Sequence, residues 1–194
     1  YSSLLNQRIQ KHLENNNLLA EEQNGCRVNR SCEDHIFSLD SVINIKKKQN
    51  ESVYVAFIDF SKAFDLVNRE QLLLQVLKNN TCINGNVYWA IKAIYKFTES
   101  RVNINNFQTD LFMVTNGVRQ GDPLSPTLFS IYINDLINTV KDTGVGIQIE
   151  DLLLNILNIY IENAPEWKSV RMSLKKSSLH QRLRNPLLNK MESL

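Results

Sequence analysis

Two carboxylates, Asp59 and Asp65, stand six residues apart at the end of the segment VYVAFIDFSKAFD (53–65). A carboxylate flanked by Ile58 and Phe60 is costly in apolar surroundings unless a cation or a metal meets it, so Asp59 reads as a metal ligand. Asp65 fits a plainer role, as a capping or ion-paired acid near the helix that Asn68, Arg69 and Glu70 begin. Magnesium chemistry on phosphates uses two ions about 3.5–4 Å apart, held by carboxylates from separate segments. Asp59 could supply one ligand and would need a partner from elsewhere. The loop Arg119-Gln120-Gly121-Asp122-Pro123 is a second candidate. An arginine and an amide beside a glycine can approach a base pair or a phosphate, and the following helix can offer its positive end to an anion. The same residues would also serve as a plain glycine-proline turn.

Positioning these groups falls to elements that the pattern of apolar residues outlines. Leu4, Leu5, Ile9 and Leu13 recur at helical spacing, and the run Asn15-Asn16-Asn17 ends that helix. A polar loop from Glu21 to Arg30 holds Gly25, Arg27 and Arg30. Ser31 with Asp34 forms a capping box for a helix whose apolar face is Ile36, Leu39 and Ile43 and which closes in Lys46-Lys47-Lys48. Residues 52–60 are β-branched and aromatic and predict a strand buried on both faces. A helix through Leu72, Leu73, Val76 and Leu77 follows, then one from about Val87 to Phe97. Arg101–Ile104 and Leu111–Val114 predict a hairpin around the polar stretch Asn105–Asp110. Ser125 and Pro126 suit the cap and first turn of a helix carrying Leu128, Ile131, Leu136 and Val140. Val145, Ile147 and Ile149 alternate as a strand does. Strands and helices interleave, so the class is α/β or α+β.

A chain of 194 residues can bury one sizeable core and a small second lobe. No run of about 18 apolar residues exists to span a bilayer, and the first residues, YSSLLNQRIQKHLENNN, lack the basic start and apolar middle of a secretory signal. The expected location is intracellular, cytoplasmic or nuclear, with no membrane partner. Cys26, Cys32 and Cys82 form no CxxC pair, and His12, His35 and His180 are scattered, so neither a disulfide framework nor a zinc site is expected. The formal charge of +2 is uneven: residues 168–194 carry net +6 and residues 1–167 net −4. A basic tail suits nucleic acid, or a solvated end.

Taken in order, FIDFSKAFD and, some fifty residues on, GVRQGDPLSPTLFSIYINDL closely resemble the palm motifs of reverse transcriptases of non-LTR (LINE-like) retrotransposons. The upstream EEQNGCRVNRSCEDHIFSL resembles the same family's fingers segment, with Cys26 where a phenylalanine is usual. The resemblance covers residues 1 to about 150. It implies an α+β fold, the fingers and partial palm of a right-hand polymerase, with a mixed sheet, packed helices and no thumb. Residues 1–50 would be fingers, 51–160 partial palm and 161–194 an unplaced basic tail. It also implies that Asp59 is the first catalytic, metal-binding aspartate and that the Phe60 carbonyl is a backbone ligand to the second Mg2+ ion. Phe64 matches the aromatic gate under the incoming sugar. Gln120 and Gly121 match the loop beside the incoming nucleotide and template, with Arg119 adjacent. Arg27 and Arg30 match fingers residues that hold template or triphosphate, and Lys62 is a further candidate for nucleotide or template binding. The implied partners are an RNA template, a DNA primer and deoxynucleotides.

The same family takes its second carboxylate from a hairpin reading Tyr/Phe-x-Asp-Asp. Here Leu152–Tyr160, LLLNILNIY, resembles the incoming strand, but Ile161-Glu162-Asn163-Ala164-Pro165-Glu166 follows, and no Asp occurs after Asp151. Glu162 could stand at the first aspartate position, but it is one methylene longer, and catalytic sites lose activity when a group moves by about an ångström. Pro165 and its polar neighbours cannot continue a central ladder. The expectation is a reverse transcriptase fragment that has lost the catalytic turn and most or all of its Mg2+-dependent nucleotidyl transfer. A non-catalytic nucleic-acid-binding module and an unselected relic remain the alternatives.

Overall fold

The first helix, α1 (Ser2–Asn15), buries Leu5, Ile9 and Leu13 on one stripe, as their spacing requires. It stops in a Schellman motif. Asn17 takes a left-handed φ of 51°, its N–H reaches the Glu14 carbonyl, and the Leu18 N–H reaches Leu13. The second helix, α2 (Cys32–Lys48), starts in the expected capping box, where the Ser31 N–H donates to the Asp34 carboxylate at 2.8 Å. It ends as α1 does, with Asn50 at φ 57° and the Glu51 N–H on the Lys46 carbonyl. Its apolar face is not covered as the spacing led us to expect. Val42 is its one buried residue and Ile36 is 60% exposed, because the described residues offer that face no partner.

The computed structural model describes residues 1–53, 55, 60–77, 83, 85–105, 107–143, 146–149 and 152–154. The chain divides into two units, one holding Tyr1–Leu18 and Lys62–Tyr132, the other holding Leu19–Ser61 and the described residues from Ile133 on. The strand expected over 52–60 lies partly outside the described residues. Those that are described, 51–53, 55 and 60, form no ladder, and Val55 is 43% exposed, so the expectation of cover on both faces fails there. A doubly covered strand needs neighbours on both edges, and every described strand is paired elsewhere.

In the first unit, α3 (Arg69–Leu77) and α4 (Gly85–Lys96) bury Leu72, Val76, Ile91 and Tyr95. An antiparallel ribbon follows, with β1 (Glu99–Ser100) on β4 (Phe112–Met113) and β2 (Asn103–Ile104) on β3 (Phe107–Gln108). The ladder therefore continues into the stretch that the sequence had suggested as the connecting loop. Between the two ladders lie two residues on one side, 101–102, and three on the other, 109–111, so the returning side bulges. Thr109 bridges the bulge. Its N–H donates to the Val102 carbonyl and its hydroxyl oxygen accepts the Val102 N–H, both at 3.0 Å.

The long helix α5 (Ser125–Asp142) is buried along most of its length, from Leu128 through Ile131 to Ile137 and Val140. It begins at Ser125 itself, one position earlier than the capping expectation. The carboxylate of Asp122 accepts the Leu124 N–H at 2.9 Å, while the Ser125 hydroxyl donates to the Arg119 carbonyl at 2.6 Å. Last among the described elements, β5 (Ile147–Ile149) pairs antiparallel with β6 (Leu152–Leu154). Helices and small antiparallel sheets make the chain α+β. All the described pairings are antiparallel, so the mixed sheet expected from sequence is not what these residues form.

Candidate active site

Lys62 opens the site with φ 52°, and its carbonyl accepts the N–H groups of Asp65 and Leu66 at 2.9 and 3.0 Å. This tight turn is the local reason that Phe64 and Asp65 stand on a loop. Asn68 then caps α3, its Oδ1 accepting the N–H groups of Glu70 and Gln71 at 3.0 and 3.1 Å. The helix cap is thus Asn68 and not Asp65. The Phe64 ring is half-buried against Phe129, with centroids 5.0 Å apart, so helix α5 fixes its position.

The second loop meets the first point by point. The Gly117 N–H donates to the Val67 carbonyl at 2.8 Å, and the Val118 N–H donates to the Phe64 carbonyl at 2.9 Å. The side-chain amide of Gln120 donates to Asp65 Oδ1 at 2.7 Å. Gly117 has φ 80°, and a Cβ there would lie 2.8 Å from the Asp65 carbonyl oxygen, so this close approach requires glycine. Arg119 and Gln120 are exposed, and Gly121 follows at φ 79° with open space around it. Phe64, Arg119, Gln120 and Gly121 are thereby brought together with Lys62 in one unit.

Behind the loops lies a polar cluster that sequence reasoning did not find. The Arg69 guanidinium donates to the carbonyls of Gly117 at 2.8 Å, Val114 at 2.5 Å and Tyr95 at 3.4 Å, and it lies 5.2 Å from the Tyr95 ring centre. Burial pushes its pKa below the ordinary arginine value; Tyr95 opposes that shift and the charge of Arg119 adds to it. The Tyr95 hydroxyl sits 3.4 Å from Ser125 Oγ and accepts the Arg119 N–H at 3.5 Å. Ser2 donates to the Asp122 carboxylate at 3.1 Å, tying α1 to the same loop. The only sequence signal for Arg69 was a cation at the start of a helix, where the dipole disfavours it.

The described contacts that join this group do not include the remaining candidates. Arg27 belongs to the other unit, and its guanidinium is turned inward, donating to the carbonyls of Ala20 and Gln23 at 3.0 and 3.1 Å. Arg30 pairs with the Glu21 carboxylate. Phe60 is half-buried, and Asp59 and Glu162 lie outside the described residues. Among the described residues no three His, Cys, Asp or Glu side chains gather as a metal would need, and Asp65, the described acid nearest Asp59 in sequence, is engaged by Gln120.

Known proteins share sequence with this chain. The chain is similar to the retrovirus-related Pol polyprotein from type-2 retrotransposable element R2DM of Drosophila melanogaster, 28% identical over 133 residues, covering 69% of this chain and 12% of that protein. The corresponding polyprotein from type-1 retrotransposable element R2 of Nasonia vitripennis is 26% identical over 145 residues, 74% of this chain and 14% of that protein. The RNA-directed DNA polymerase from mobile element jockey of Drosophila melanogaster is 28% identical over 119 residues, 60% of this chain and 12% of that protein. The chain therefore spans well under a fifth of the length of these relatives. Residues 1–179, which include both loops and the helix α5 behind them, match the family described as reverse transcriptase (RNA-dependent DNA polymerase), and the chain belongs to that family.

Proposed function

We infer that the two joined loops are the nucleotide-facing part of an ancestral RNA-directed DNA polymerase, with Phe64 against the incoming sugar and Gln120 and Gly121 beside nucleotide and template. Residues 1–50 correspond in this reading to fingers and 51–160 to part of the palm, with 161–194 a basic tail. The observation that carries it is the contact set joining Phe64, Asp65 and Val67 to Gly117, Val118 and Gln120, residues some fifty positions apart in sequence. A plain glycine-proline turn would not need both its backbone and its side chain engaged with the segment that follows Asp59.

Mg2+ would supply charge neutralisation on the nucleotide phosphates, with Asp59 and the Phe60 carbonyl as its ligands. The donor set does not fit a working pair of ions. The sequence holds no Asp pair after Asp151, and Glu162 is the lone substitute at that place. The reading is therefore a palm that has lost nucleotidyl transfer. Its test is primer extension on an RNA template with Mg2+ and deoxynucleotides, beside Asp59→Asn. No extension from a folded, monodisperse chain is expected. Extension that disappears in Asp59→Asn would show that a second acid completes the site and would overturn the loss.

A second reading, a non-catalytic nucleic-acid-binding module, is favoured by the exposure of Lys62 and Arg119 at this site and by the basic tail. Binding through them would weaken linearly in log affinity against log salt, with a slope reporting the phosphates neutralised. A flat salt response removes this reading.

A further inference from the structure

Arg69 is 9% exposed, and buried arginines are rare unless something pairs with them. Its partners among the described residues are three carbonyl oxygens and the Tyr95 ring. Placing this cation at the first position of α3 runs against the helix dipole, and burying it costs solvation. The fork geometry explains what offsets that cost: Nε and Nη1 reach two carbonyls, Gly117 and Val114, that bracket the two residues leading into the Arg119–Gly121 loop. A lysine ammonium is a point charge and cannot span both with fixed geometry.

The segment 64–69 thus holds the second loop through the Phe64 carbonyl, the Asp65 carboxylate, the Val67 carbonyl and the Arg69 guanidinium. The first three lie on the turn or just after it, and each meets one residue of the loop. Arg69 is the member that joins the loop, the end of α4 at Tyr95 and the start of α3. Through Tyr95 the cluster continues to the Arg119 N–H and to Ser125 at the head of α5.

We propose that Arg69 is a positioning residue that fixes the placement of Gln120 and Gly121 relative to Phe64, and through that placement the discrimination between deoxyribonucleotides and ribonucleotides. The discrimination rests on the reading of Phe64 and Gln120 given above; the placement does not.

The test uses the full chain with Arg69→Met, which keeps length without donors, and Arg69→Lys, which keeps charge without the fork. Amide hydrogen exchange is followed at Gly117 and Val118 and, as a reference for the fold, at Leu128 and Ile131 in α5. Exchange of the loop amides is expected to rise about tenfold in Arg69→Met, the size of effect expected for losing one net hydrogen bond, with α5 unchanged. Arg69→Lys should recover part of the protection. Unchanged loop exchange in a folded variant, or an equal rise in α5, overturns the placement role. Should Arg69→Met not fold, Arg69→Lys decides alone, because a rise confined to Gly117 and Val118 supports the role and its absence overturns it. The second readout is the ratio of affinities for dGTP and GTP with Mg2+. A purely structural defect weakens both alike, whereas misplacement moves the ratio toward one. If the unmodified chain binds neither nucleotide, the functional reading and the discrimination built on it both fall, while amide exchange still decides the placement.

Discussion

The side-chain amide of Gln120 donates to the Asp65 carboxylate at 2.7 Å across 55 positions of sequence. This bond joins a side chain of the second loop to the acid that follows Phe64, and it makes the two loops one structure. Replacing both residues by alanine, singly and together, should reveal a coupling of about 0.5–1.5 kcal/mol in urea unfolding. Additive single effects would show that the contact contributes nothing to stability.

The two glycines of the second loop should respond differently to alanine. At Gly117 a Cβ meets the Asp65 carbonyl oxygen at 2.8 Å as well as bearing φ 80°, whereas at Gly121 the space is open and only φ 79° opposes it. Gly117→Ala should cost about 1–3 kcal/mol and Gly121→Ala roughly 1 kcal/mol, read from thermal or urea midpoints. Equal losses would contradict the close approach of the two loops.

Asn68 caps α3 with a side chain that accepts two backbone N–H groups. Asn68→Ala should therefore lower stability by about 1 kcal/mol, and Asn68→Asp, which keeps the acceptor, should restore nearly all of it. An equal loss in both variants would assign the effect to packing.

Burial lowers the pKa of His35 below its ordinary value of 6.5, with the charge of Asp34 opposing the shift. The folded chain therefore binds the proton less readily than the unfolded one. Its contribution is fully present above the unfolded value and is lost as pH falls through the window below about 6.5. Urea midpoints should decline from about pH 7.5 to pH 5, and the decline should be shallower in His35→Gln. Identical pH profiles would show that other groups carry the effect.

Much of this protein was determined locally. The end of α1 follows from an asparagine run that tolerates positive φ, and the start of α2 follows from Ser31 and Asp34, three residues apart. Such signals are legible because donor and acceptor are neighbours in the chain. The order of the two loops and the apolar run of α5 were equally plain, and they carried the family resemblance. The tertiary structure alone decided which acid caps and which one bridges. Asn68 took the cap, and Asp65 became free to meet Gln120 only because the turn at Lys62 faces the loop beginning at Gly117. It also decided that Arg27 turns inward to its own loop and that Arg69, one of 22 basic residues, is buried among carbonyls. Nothing in a residue's type records which carbonyls a distant loop will leave open. A buried arginine is determined by where backbones meet, and that is settled by tertiary packing, not by spacing along the chain.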